Sequence, residues 1–152
     1  MTDRLDNKVA LIVGGTGSIG TATATAFSRL GAKIIIAGRN STAAENVLQQ
    51  VNDAGSEGVF IQTDLTDSTS VEALAEKAVA AYGSIDIAFN NAGWEGVAAK
   101  TADIEESDWQ RMLDIKLTGL WRCMKFELKQ MQKQGSGNIV NMSGNWGLVG
   151  FA

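Results

Sequence analysis

The chain has 152 residues, a formal net charge of −4, no histidine and a single cysteine, Cys123. That composition excludes zinc sites, histidine-based catalytic triads and an internal disulfide. Lysine and arginine are scattered and no apolar run approaches the roughly 20 residues of a membrane span, so neither nucleic acid nor a membrane is an expected partner.

The opening MTDRLDNKVALIV lacks the layout of a signal peptide, and the expected location is the cytoplasm. Val9 to Val13 is a continuous apolar run, as in a strand buried on both faces. A helix is predicted from Ser18 to Leu30, then a second strand from Lys33 to Ala37. Thr42 with Glu45 reads as a capping box opening the second helix, whose inner face is Ala44, Val47, Leu48 and Val51. A third strand spans Gly58 to Ile61. Thr69 with Glu72 suggests another capping box, and Val71, Leu74, Ala75 and Ala78 line that helix. Ile85 to Phe89 is a fourth strand, and a loop from Asn90 to about Ile104 follows. A long helix is predicted from about Ser107 to Lys133, with the inner stripe Leu113, Leu117, Leu120, Met124, Leu128 and Met131. Asn138 to Met142 is a fifth strand. Repeated βαβ units predict one α/β domain, a Rossmann-like doubly wound parallel sheet.

The turn after the first strand is Gly14-Gly15-Thr16-Gly17-Ser18-Ile19-Gly20. Glycines there permit a tight turn and a close approach of backbone to a pyrophosphate, and the next helix offers free N–H groups and the positive end of its dipole. A bare strand-to-helix turn is the alternative. The position between first strand and first helix favours a dinucleotide.

With these segments in order, the chain resembles the short-chain dehydrogenase/reductase family, classical type. The resemblance rests on Gly14 to Gly20, Asp64-Leu65, Asn90-Asn91-Ala92-Gly93 and Gly137 to Ser143, and runs from about Lys8 to the last residue. It implies strand order 3-2-1-4-5 and hydride transfer between a nicotinamide and an unidentified small carbonyl or alcohol. Asp64 and Leu65 are implied to contact adenine, with a turn aspartate opening a loop as the alternative, and Asn90, Ala92 and Gly93 to leave room for the ribose and nicotinamide, while the asparagine side chains equally suit a structural role bonding neighbouring loops. After the second strand, NAD-preferring relatives carry an acidic residue where this chain has Gly38, followed by Arg39. A guanidinium suits a 2′-phosphate, so NADP is expected over NAD.

The family's acid is a tyrosine followed four residues later by lysine. The one tyrosine here, Tyr82, is followed at that spacing by Asp86 and reads as a packing or turn residue. The resemblance places the Tyr-x-x-x-Lys pair shortly past Ala152, so the chain is expected to be the cofactor-binding front half, truncated after the fifth strand and inactive alone. The family's catalytic serine falls on Gly144, leaving Ser143 as a weak catalytic candidate, and the family's helix asparagine falls on Lys116. The alternative function is a non-catalytic dinucleotide-binding module, a regulatory partner of a full-length relative. Trp94, Trp109, Trp121 and Trp146 read as core or loop packing, and Cys123 as a small buried hydrophobe. The fifth strand would present an exposed sheet edge, so a homo-oligomer is expected.

Overall fold

The computed structural model describes residues 4–144. Five parallel strands, β1 (Val9–Val13), β2 (Lys33–Gly38), β3 (Gly58–Gln62), β4 (Ile87–Asn90) and β5 (Asn138–Asn141), form one sheet in the order β3-β2-β1-β4-β5. The crossovers are α1 (Ser18–Arg29), α2 (Ser41–Asp53), α3 (Ser68–Tyr82), and α4 (Glu106–Leu113) with α5 (Leu120–Gln134).

The strand alternation explains the two layers. Ala10, Ile12, Ile34 and Ile36 pack on one face with Ala24, Ala44, Val47 and Val51 of α1 and α2. Val9, Leu11, Val13 and Ile35 pack on the other with Val71, Leu74 and Ala78 of α3 and Cys123, Phe126 and Met131 of α5. A strand buried on both faces reads as an unbroken apolar run, which is why β1 and β2 were legible. The register pairs Val13 with Ala37 and with Asn90, so the C-terminal ends of β1, β2 and β4 finish level.

Three expectations fail. The caps of α2 and α3 are Asn40, whose Oδ1 accepts from the Ala43 N–H at 3.0 Å, and Asp67, whose Oδ1 accepts from the Thr69 N–H at 2.8 Å. Both helices start before the Thr-x-x-Glu patterns, because a short carboxamide or carboxylate just ahead of the helix outcompetes threonine as a cap.

The long helix is interrupted by a π-helical segment, Asp114–Gly119. Its wider turn carries an extra residue, which rotates everything downstream about the axis. The buried positions are therefore Ile115, Gly119, Cys123, Phe126, Glu127 and Met131. Of the predicted stripe only Met131 is buried, while Leu117 is 64% and Leu128 49% exposed. Trp109 and Trp121 are also exposed rather than packed, and Trp146 lies outside the described residues. Cys123 is buried as expected, and its thiol is pushed up to about 12 by burial and the nearby Glu127 carboxyl.

Candidate functional site

A crevice of about 280 Å³ opens where the sheet's C-terminal edge meets the loops after β1, β2, β3 and β4. This is the switch point at which β1 lies between β2 and β4, where open α/β sheets bind ligands. Of the residues singled out from sequence, Gly14, Thr16, Gly17, Arg39, Asp64, Leu65, Ala92 and Gly93 line it. Gly15 and Gly20 stand behind the loop, Gly15 against Ile36 and Gly20 against the backbone of Gly14 and Gly15. Ser18 and Ile19 occupy the exposed first turn of α1. Gly38, Thr63, Asn91 and Ile115 also line the crevice. Asn91 was legible within its motif. Thr63 and Ile115 carried no sequence signal.

The loop after β1 is built around close approach. Gly14 has φ +76°, and a Cβ there would lie 2.6 Å from the Ala92 Cα. The glycine thus lets the β1 and β4 loops touch. Asn91 fastens the same junction, its backbone N–H donating to Val13 O at 2.9 Å and its Nδ2 to Gly14 O at 3.3 Å. The α1 N-cap is Gly17, which has no side chain to occupy the helix's first N–H groups. Those donors and the dipole end remain for an anion.

Beside β3, Asp64 Oδ1 accepts from the Thr66 N–H at 2.9 Å and from its hydroxyl at 2.8 Å. These two bonds, with more distant help from Arg39 and Arg111, hold the carboxyl below its usual range against a smaller opposing effect of burial. Arg122 of α5 donates to the carbonyls of Leu65 and Thr66, each at 2.9 Å. Gly119 permits that approach, since a Cβ there would lie 2.9 Å from Leu65 Cβ. Nothing in the sequence announced a tether across more than fifty residues.

At the other end, Lys116 of the π segment brings its Cε within 3.5 Å of where a Gly93 Cβ would sit. The Lys116 side chain, where the family carries its helix asparagine, thus stands beside Gly93. Half-buried Trp94 stacks under the Arg111 guanidinium at 4.5 Å. Ser143 is exposed just beyond β5. Tyr82 ends α3 with Lys33, the first residue of β2, over its ring at 5.1 Å. That is the edge of the sheet opposite the crevice.

Asn90 turns inward rather than lining the crevice. Its Nδ2 donates to Glu127 Oε2 at 2.9 Å and to Asn141 Oδ1 at 3.0 Å. Glu127 is 2% exposed. Burial pushes its carboxyl up to about 7, with the Asn90 bond opposing. Asn90 Oδ1 and Glu127 Oε1 are buried with no hydrogen-bond partner among the described residues. In sequence Glu127 looks like one more polar position on a solvated helix.

This architecture, with glycine loop, carboxylate loop and Asn-Asn-Ala-Gly segment converging on one crevice, defines a class. The family profile described as short chain dehydrogenase matches residues 8–152, and the chain belongs to that family. Among individual relatives it is 37% identical over 152 residues to cis-4-hydroxycyclohexanecarboxylate dehydrogenase of Sinomonas cyclohexanicum, covering 100% of this chain and 61% of that protein. NAD+-bound xylitol dehydrogenase superposes with a TM-score of 0.95 at 33% identity, covering 98% of this chain and 57% of that one. A variant of actinorhodin polyketide ketoreductase with NADPH gives 0.90 at 31% identity, covering 95% and 56%. The chain therefore spans somewhat over half the length of these relatives. Among the described residues no helix is long and apolar enough to cross a membrane.

Proposed function

We propose that the crevice binds a nicotinamide dinucleotide, NADP in preference to NAD, and that the chain is one domain forming the cofactor-binding portion of a short-chain oxidoreductase acting on a small carbonyl or alcohol. The observation that carries this is the continuity of the crevice wall. It runs from Arg39 and Asp64, past Gly14 and Gly17, to Ala92 and Gly93. The bare helix start at Gly17 and the cradle at Gly14 suit a diphosphate, which neither a larger loop residue nor a capped helix would admit.

Arg39 follows Gly38, the last residue of β2, which stands where an acidic residue would serve a ribose 2′-OH. Its guanidinium pairs with a 2′-phosphate, and Thr16 lies close by, its Oγ1 3.8 Å from where a Gly38 Cβ would sit. Both Thr66 bonds to Asp64 use Oδ1, so Oδ2 is the oxygen offered to an exocyclic amine. Arg122 keeps that loop in place. When bound, the nicotinamide supplies the hydride chemistry. Tyr82 takes no part, standing at the far edge of the sheet. The isolated chain binds cofactor without reducing carbonyls, in the cytoplasm and as a homo-oligomer.

The test is calorimetric titration with NADP+ and NAD+. NADP+ should bind about tenfold more tightly, and Arg39→Ala should erase that preference while sparing NAD+. Failure of both dinucleotides to bind would overturn the proposal, and an unchanged preference in Arg39→Ala would overturn the role of Arg39.

A further inference from the structure

The least explained group in the molecule is the buried pair of Glu127 and Asn90. Asn90 is the last residue of β4, and Glu127 comes from α5. One hydrogen bond joins them, from Asn90 Nδ2 to Glu127 Oε2, and the two remaining oxygens are both orphaned. A carboxamide oxygen and a carboxylate oxygen are both acceptors, so neither can satisfy the other. One proton on the carboxyl changes this. The acid O–H then donates to the amide oxygen while the amide N–H donates back, and both orphans gain a partner at once. Leaving them unpaired would carry the full desolvation cost of two buried polar atoms.

Two other ways of satisfying the pair do worse. A cation is one, but none of the ion pairs among the described residues involves Glu127. A water is the other. The adjoining void has a volume of about 10 Å³, and Asn90 is its only polar side chain apart from Cys123. A void of that size is at the lower limit for one water, and a buried water needs two to four polar partners, more than these side chains offer.

We propose that Glu127 and Asn90 form a neutral carboxylic acid–carboxamide pair, and that Glu127 is thereby a positioning residue for the cofactor-facing segment Asn91–Gly93. This rests on the dinucleotide reading of the crevice. The route from pair to crevice is short. Asn91, next in the chain, bonds Val13 and Gly14, and Ala92 abuts Gly14. The void beside Asn90 shares Val13, Leu65, Ala92 and Ile115 with the crevice wall, so displacement of Asn90 has space to propagate. Ionising Glu127 withdraws the donor from Asn90 Oδ1 and leaves a buried, unpaired charge. The groups that meet the pair are Cys123, one turn earlier on α5, and Asn141 of β5. The asparagines do not titrate, and Cys123, held up to about 12, stays neutral across this range. The pH response therefore belongs to Glu127.

The experiment titrates NADP+ into the chain and its Glu127→Gln variant from about pH 5.5 to about pH 8.5. Glutamine reproduces the neutral acid, one amide facing another. The two proteins should bind alike at the acid end, and at the alkaline end the unsubstituted chain should bind roughly tenfold more weakly than the variant. Glu127→Leu should bind weakly at every pH, with glutamine as the rescue. Superimposed pH profiles would overturn the role of Glu127 while leaving the cofactor reading intact. No binding by either protein at any pH would overturn the cofactor reading, and the positioning role with it. A measurement on the unsubstituted chain needs no variant to fold: infrared spectra should show a protonated-carboxyl band near pH 6 that fades as pH rises through about 7. Absence of that band would overturn the neutral pair.

Discussion

The two sides of the sheet are built differently. On the β1–β2 side every position from Val9 to Val13 is buried, the helices cover both faces, and the glycine loop packs backbone against backbone. On the β5–α5 side, Val140 is 54% exposed, leucines of the π segment and α5 face outward, and the interior holds a carboxyl with an orphaned oxygen. The first side is a closely packed platform with an apolar interior. The second has apolar surface left uncovered among the described residues and a polar interior that depends on protonation.

The sharpest way to break this contrast is to truncate one side chain on each side. Ile35 of β2 is fully buried, so Ile35→Ala should cost about 2–5 kcal/mol. Leu128→Ala on α5 should stay within about 0.5 kcal/mol, because the leucine is half exposed. Urea unfolding of both variants checks the difference. Equal losses would mean that the α5 face is covered by something that contributes as much as the core, such as a second copy of the chain.

The pH dependence of stability sharpens it further. Glu127 has its pKa raised from 4.5 to about 7 in the folded chain. Between those values the folded state holds a proton that the unfolded state has lost, so stability falls as pH rises from about 4.5 to about 7 and levels off above. A carboxyl moved that far changes stability by about 3 kcal/mol across the window. Glu127→Gln should remove this slope and be the more stable protein above pH 7. Unfolding midpoints of the two proteins at matched pH provide the check, and parallel pH curves would refute the assignment.

The same division runs through what the sequence made visible. The strands, their order and the crevice loops follow from local signals: unbroken apolar runs, glycine spacing, and a four-residue segment at a strand end. The other side depends on geometry that no local pattern carries. The π segment rotates α5, so a helix apolar on two sides buries Cys123 and Phe126 instead of Leu117 and Leu128. Glu127 reads as a surface residue until β4 supplies Asn90, and Arg122 until the loop after β3 supplies two carbonyls. Burial of a polar residue is decided by its partner, and here the partners lie 37 and 57 residues away.

Helix caps offer the smallest and cleanest test, since on the well-read side they are where the local pattern misled. Thr42 and Glu45 have the spacing of a capping box, yet both are exposed within α2, and Asn40 holds the Ala43 N–H. Asn40→Ala should therefore cost about 1 kcal/mol, and Thr42→Ala a few tenths at most. Because Asn40 adjoins Arg39, loss of the cap should also loosen the β2 exit. NADP+ affinity should then fall more in Asn40→Ala than in Thr42→Ala, by about twofold to threefold. A larger stability loss in Thr42→Ala would show that the helix starts where the sequence pattern says, and would remove the cap from any part in shaping the crevice.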